Sequence, residues 1–145
     1  MNELLATPRP GWFTAVAIVA LIWNLLGLAA FVMQLMMTPE MIAALPAAEQ
    51  DLYKTLPLWA LAAFGAAVIG GWLGSLMLVL KRAWAVPLLL ISLVGVCVQM
   101  AHSFFFSKTF EVYGPGGMIM PIMVLVFAFL LLWLSIHAKN NRWIR

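Results

Sequence analysis

The sequence predicts an all-α integral membrane protein, a single domain over residues 1–145 in which four transmembrane helices form a bundle. Its composition is 66% hydrophobic and 9% charged, whereas soluble domains carry about 25% charged residues. Four apolar runs cover residues 12–37, 56–80, 83–106 and 118–137. Each run is close to the ~20 residues that a helix needs to cross a bilayer, and none contains Asp or Glu.

The charges predict how the bundle is oriented. Lys and Arg concentrate before the first run, between the second and third runs, and after the fourth, at Arg9, Lys81, Arg82, Lys139, Arg142 and Arg145. The positive-inside rule then places both termini in the cytoplasm and the first and third connections outside. The first run is too long for the apolar core of a cleavable signal peptide. We therefore expect a multi-pass protein of a bacterial inner membrane.

The first outer loop carries two helix-start signals. Thr38 is followed by Pro39 and Glu40, the order of an N-cap, a proline at the first helical position and an early acid. A second start follows Pro46. We expect one or two short amphipathic helices on the outer membrane surface, and a plain polar loop is the alternative.

The remaining elements follow from their boundary residues. Thr55 is a plausible cap for the second long helix, which ends at the basic pair Lys81–Arg82. The link to the third helix is very short, so the second and third helices form an antiparallel hairpin. Glycines around Pro115 predict a tight turn before the fourth helix, where Pro121 falls in the first turn and its missing N–H costs nothing.

Small residues form a ridge along the second helix. Every fourth position is small, at Ala62, Ala66, Gly70 and Gly74, with a second small row beside it. Small residues allow helix backbones to approach closely, and this contact drives helix association in lipid. The ridge can serve another helix of the same chain or a second copy of the protein, so the pattern is compatible with a homo-oligomer.

Polar side chains within the runs predict a candidate binding site. Ser92, Gln99 and His102 share one face of the third helix, while Asn24 and Gln34 lie on one arc of the first. Ser92 lies at roughly the depth of Asn24, and His102 lies at the depth of Gln34. All five residues can therefore converge on one interior column that opens outward. Polar groups in spans face the bundle interior or a watery cavity. The column is either a pocket or a closed hydrogen-bonded core.

Methionines concentrate near the predicted outer leaflet. Thioethers suit Cu(I), and His102 lies at the same level, so a copper site is one interpretation of Met33, Met36, Met37, Met100 and His102. Methionine also fills gaps in apolar surfaces, and the spacing matches no ligand motif. We expect no metal and no cofactor.

Several chemistries lack the residues that they need. No run contains a carboxylate for proton-coupled exchange, Cys97 is the only cysteine, and no catalytic triad, phosphate loop or HExxH motif is present. We expect a protein that is not an enzyme and that binds no nucleic acid, because its net charge of +3 is distributed as a topology signal.

Four stretches carry a family resemblance: "IWNLLGLAAFVMQLMMTPE", "LPAAEQDLYKTLPLWA", "VCVQMAHSFF" and "EVYGPGGMIMP". Together they resemble a family of small bacterial four-span inner-membrane proteins that are loosely labelled sugar transporters. The resemblance implies the four-span fold over nearly the whole chain and assigns no functional residue.

The function that this pattern favours is binding or transport of a small solute, such as a sugar, at the column of Asn24, Gln34, Ser92, Gln99 and His102. Two alternatives stay open. One is an accessory or structural subunit of a larger membrane complex, and the other is a protein that holds a lipid or a quinone in its apolar interior.

Overall fold

The computed structural model describes residues 7–145, and this part of the chain contains helices and no strands. Seven α-helices follow one another along it. Four of them are long, and three short ones lie in the connections. Their bounds are α1 Gly11–Leu35, α2 Pro39–Ala43, α3 Ala47–Lys54, α4 Leu58–Val79, α5 Ala85–Ala101, α6 Thr109–Tyr113 and α7 Ile119–Asn140.

The four predicted runs coincide with four helices that are long and apolar enough to cross a membrane. One boundary prediction was wrong. Thr55 does not cap α4, because its hydroxyl donates to the Asp51 carbonyl at 2.7 Å and so closes α3. Pro57 precedes the first residue of α4 instead. Proline is tolerated there because the first N–H groups of a helix have no partner within it.

The first connection folds into the two short helices that the sequence predicts. The Thr38 hydroxyl accepts a hydrogen bond from the Met41 N–H at 3.2 Å and caps α2. Gln50 on α3 reaches back and donates to the Leu45 carbonyl at 2.8 Å and the Ala43 carbonyl at 3.1 Å. These bonds fold α2 and α3 into one compact cap.

The third connection differs from the predicted simple turn. After α5 the helix widens into a π-helical turn over His102–Phe106, in which the Ser107 N–H donates to the His102 carbonyl at 2.9 Å. The chain then forms α6, which ends at Gly114 with φ of +70°. Glycine adopts this conformation without strain. A 3₁₀ turn over Pro115–Met118 leads into α7.

Helices α4 and α5 form the closest pair in the molecule, and glycines permit the contact. A Cβ at Gly70 would lie 2.9 Å from the Leu88 carbonyl oxygen, and one at Gly95 would lie 2.7 Å from the Ala67 nitrogen. Both neighbours are backbone atoms that cannot rotate away. The predicted ridge is divided, because its two glycines face α5 while Ala66 is half-buried and Ala62 is exposed.

The long helices pack in the order α1, α4, α5, α7. Between α1 and α7 the packing is loose, and the rings of Trp23 and Phe127 meet there edge to face at 5.0 Å. One end of the bundle holds the connections rich in short helices, at residues 36–57 and 107–118, and is called the loop end below. The opposite end holds residues 9–13, 80–84 and 139–145, which carry six of the eight Lys and Arg, and is called the basic end.

The basic end is closed by two matching helix terminations. Lys81 after α4 and Arg142 after α7 both adopt positive φ, near +60°. The next N–H groups return to the helix, from Arg82 to the Met77 carbonyl and from Trp143 to the Ala138 carbonyl, each at 2.8 Å. This is the Schellman arrangement.

The two chain segments that leave these terminations pair with each other. The Ala83 N–H donates to the Arg145 carbonyl at 2.8 Å, and the Arg145 N–H donates to the Lys81 carbonyl at 2.9 Å. Ile144 is thereby buried among Phe13, Leu78 and other apolar side chains. The basic end is therefore a packed core.

Candidate ligand-binding site

A cavity of about 160 Å³ lies at the loop end, beneath α3 and α6. Three of the five predicted column residues line it, and the connections supply much of its roof. Its main polar side chains are Gln34, Gln99, His102, Ser103, Ser107, Thr109, Tyr53 and Tyr113, and it is called the polar cavity below. An apolar cavity of about 150 Å³ is known to hold one benzene ring. The polar cavity is therefore large enough for a single six-membered ring.

The polar side chains at the centre of this cavity lack protein partners. Within residues 7–145, neither Gln34, Gln99 nor His102 makes a side-chain hydrogen bond. Among the same residues, every fully enclosed side-chain nitrogen or oxygen does have a partner. The amides and the imidazole must therefore reach open space, and the cavity that they line is where they reach it.

His102 is the most enclosed of the three, with 7% of its surface exposed. The Trp59 ring stands edge to face against the imidazole, with the centroids 5.3 Å apart. His102 is also the first residue of the π-helical turn, and such turns frequently occur at functional sites. A neutral imidazole offers one donor and one acceptor, so His102 can both donate to and accept from a group in the cavity.

The cavity is polar but uncharged. No Asp, Glu, Lys or Arg among the described residues lines it. At its rim, burial raises the pKa of the Tyr113 phenol above the ordinary value of 10.0, and the nearby Glu49 and Tyr53 raise it further. Tyr113 therefore keeps its proton at neutral pH. The site therefore offers a ligand mainly hydrogen bonds.

The deeper part of the predicted column is closed by hydrogen bonds. The Asn24 amide donates to the Ser75 hydroxyl and to the Ala20 carbonyl, each at 2.9 Å, and the Ser75 hydroxyl donates to the Gly71 carbonyl at 2.7 Å. On α5 the Ser92 hydroxyl donates to the Ala67 carbonyl of α4 at 2.6 Å. Asn24 and Ser92 thus tie helices together.

Two apolar hollows continue from this level along the side of the bundle. The first, of about 320 Å³, is lined by Asn24, Ser92 and Gln99 among mostly apolar side chains. The second, of about 370 Å³, lies between the basic-end halves of α1 and α7. They share Trp23, Phe127 and Leu131 and together are called the lateral groove. Phe64 and Gln99 line both the groove and the polar cavity.

The copper interpretation does not find its ligands at this site. No methionine of the described chain lines the polar cavity with His102. Met33 and Met36 have 70% and 69% of their surfaces exposed. No group of three or more His, Cys, Asp or Glu in residues 7–145 is placed to hold a metal ion. Met37 and Met100 are half-buried away from the lining.

Sequence reasoning missed the roof of the polar cavity and the wall between this cavity and the lateral groove. Thr109 and Tyr113 lie on α6, a five-residue helix with no long apolar pattern to indicate it. Phe64 has no polar group, and only its contact with Phe31, at 5.2 Å between ring centroids, fixes where it stands. The clustering of Ser, Thr and Tyr after "HSFFF" is the one signal that the sequence offered.

Comparisons with known proteins add no relative. No protein-family model, curated protein or solved structure matches the chain. What this site does is therefore argued from its own geometry.

Proposed function

We propose that this protein is a multi-pass membrane protein that binds a small, uncharged, ring-sized polar group in the polar cavity. The observation that carries the proposal is the set of Gln34, Gln99 and His102, which line one cavity without protein hydrogen-bond partners. Polar groups are costly at membrane depth and commonly mark a site where they are used. A ligand that both donates and accepts hydrogen bonds would pair with all three.

The proposed location is a bacterial inner membrane with both termini in the cytoplasm. The basic end carries six of the eight Lys and Arg residues, at positions 9, 81, 82, 139, 142 and 145. Under the positive-inside rule this end faces the cytoplasm. The polar cavity would then open on the outer side, under the cap formed by α2, α3 and α6.

Binding fits this conformation better than passage through the bundle. Below the polar cavity, Asn24 and Ser92 are engaged in hydrogen bonds between helices. At the basic end, Phe13 and Ile144 fill the bundle, with 0% and 2% of their surfaces exposed. Transport of a solute would require these contacts to open.

A labelling experiment tests where the cavity opens. In a Cys97→Ser background, which removes the only cysteine, Ser103→Cys is placed on the cavity wall and Ser92→Cys below it. A membrane-impermeant maleimide added outside intact spheroplasts should label Ser103→Cys at least tenfold faster than Ser92→Cys. Equal rates at the two positions would contradict an outward-opening polar cavity.

A binding experiment tests what the cavity does. The probes are two uncharged rings, glucose and unsubstituted benzoquinone, measured on the purified full chain by saturation-transfer NMR. Gln99→Ala and His102→Ala should each weaken binding of the accepted ring at least tenfold. His137→Ala removes the same side chain as His102→Ala outside the cavity and should leave binding unchanged. If neither ring depends on Gln99 or His102, the proposed function is wrong.

A further inference from the structure

We infer that the ligand is an amphiphile whose uncharged ring-sized head occupies the polar cavity and whose apolar chain lies in the lateral groove. This inference rests on the proposed function, because it assigns the ligand class of the same site. The shared wall of the cavity and the groove, at Phe64 and Gln99, is the observation that carries it.

The groove has the shape and chemistry of a chain-binding site. Its two hollows adjoin through Trp23, Phe127 and Leu131. On α7 the lining extends from Met120 to Leu134, about 20 Å at the helical rise of 1.5 Å per residue. The second hollow is lined by apolar and aromatic residues alone. Such a surface fits a long hydrocarbon or isoprenoid chain and offers nothing to a sugar.

The groove also lies where a chain can enter. It runs between α1 and α7, the two helices that pack least against the others, and most of their apolar side chains are exposed. Under the proposed membrane location, these faces meet lipid directly. A ligand dissolved in the bilayer can therefore enter sideways, without opening the cap or the packed basic end.

The polar cavity and the apolar lateral groove meet at Gln99, whose side chain lines both spaces. Gln99 is the residue with a free amide that both spaces share, since Asn24 and Ser92 in the groove already have partners. A ligand whose polar atoms end where its chain begins would place that boundary at Gln99. Phe64 lies beside the same boundary, and its ring is held by Phe31.

The lining of the polar cavity restricts the head. A phosphate or a carboxylate would be expected to have Arg or Lys as partners, and no such residue in the described chain lines the cavity. A neutral head fits this lining better than an anionic one. Benzoquinone rings and the hydroxyl of a diacylglycerol share this chemistry, because each presents uncharged oxygens at the end of an apolar chain. The volume of about 160 Å³ fits a ring.

The test compares chained and chainless heads on the full chain in nanodiscs of phosphatidylcholine. The probes are benzoquinone with a two-isoprene chain and the same ring without it, each followed by quenching of tryptophan fluorescence. Ala30→Phe fills the groove, and Ala29→Phe adds the same ring at the neighbouring position, which does not line it. Both alanines are exposed, so both variants should fold.

The expected result is that Ala30→Phe weakens the chained quinone at least fivefold and leaves the chainless ring unchanged. Ala29→Phe should alter neither, and His102→Ala should weaken both at least tenfold. Each probe is compared only with itself across variants, so its partition into the bilayer cancels. A short-chain diacylglycerol added as competitor identifies the chemical class of the head. If it displaces the chained quinone, and Ala30→Phe weakens this displacement, a glyceride head is also accepted. If it does not displace the quinone, the site is assigned to quinones.

Two results would overturn the inference. If Ala30→Phe leaves the chained quinone unaffected while His102→Ala weakens both probes, the polar cavity binds the head alone and only the amphiphile inference fails. If His102→Ala affects neither probe, the inference fails for these heads, and the glucose measurement above then decides whether the proposed function stands.

Discussion

The two ends of the bundle differ in how the space between the helices is filled. At the basic end, Phe13, Leu78 and Ile144 fill the space between the helices, and the segments that leave α4 and α7 are tied by backbone hydrogen bonds. At the loop end the helices enclose a polar cavity, roofed by α3 and α6. The polar cavity at the loop end therefore contrasts with a packed core at the basic end.

The side chains available at each end explain the difference. The basic end combines small residues such as Ala17 and Ala138 with large apolar ones that fit against them. The loop end has Gln34, Gln99 and His102 at corresponding interior positions. These side chains have no hydrogen-bond partners within the described protein, and they border a cavity, whereas the apolar side chains of the basic end pack against one another.

The largest effect is expected from removing a phenylalanine at each end. Phe13→Ala should lower the free energy of unfolding by about 3 kcal/mol, because the ring is fully enclosed and leaves a new void. Phe64→Ala should cost about 1 kcal/mol, because its ring already borders the polar cavity and the lateral groove and loses contacts on fewer sides.

Unfolding by sodium dodecyl sulfate in mixed micelles, followed by circular dichroism, measures both phenylalanine variants. Equal losses at Phe13 and Phe64 would mean that the loop end is packed as tightly as the basic end.

A smaller effect is expected from removing one amide at each level of the column. Asn24→Ala should cost about 1 kcal/mol, since its interhelical hydrogen bond to Ser75 is lost. Gln99→Ala should change stability by less than about 0.5 kcal/mol, because no hydrogen bond is lost. The same unfolding measurement checks both, and a Gln99→Ala protein as unstable as Asn24→Ala would show that Gln99 belongs to a closed network.

The smallest expected effect is the change in stability when Tyr113, at the rim of the cavity, loses its proton at alkaline pH. The phenol of Tyr113 has its pKa raised by burial, then by Glu49 and Tyr53. The folded protein therefore holds this proton more tightly than the unfolded chain does. At neutral pH both states keep the proton, so the contribution of Tyr113 to the free energy of unfolding does not change with pH there. Stability falls as pH rises through 10.0, the ordinary value, and levels off above the folded pKa.

An ultraviolet titration checks the cause of the Tyr113 shift. In a Tyr53→Phe background, which leaves Tyr113 as the only tyrosine, Glu49→Gln should lower the pKa of Tyr113 toward its ordinary value. Glu111→Gln removes a carboxylate that does not contribute to the shift and should leave the pKa unchanged. A pKa that does not respond to Glu49→Gln would assign the whole shift to burial.

Hydropathy and residue types were sufficient to predict the four long helices and the two short helices of the first connection. The four long helices lie where the apolar runs are, because length and apolarity are properties of a segment by itself. The cap at Thr38 and the short helices after it also depend on neighbouring residues alone. The π-helical turn at His102–Phe106 was not predictable in this way, because it packs against α6, which neighbouring residues do not specify.

The sequence by itself determined which polar residues enter the helices and that Asn24, Gln34, Ser92, Gln99 and His102 share compatible faces. Only the tertiary structure decided which of them are free. Asn24 lies opposite Ser75 and Ser92 lies opposite the Ala67 carbonyl, whereas the cavity lies opposite Gln99 and His102. The physical reason is that a hydrogen bond between helices requires a partner at the right height and rotation on a neighbouring helix, and spacing along one helix does not specify that neighbour.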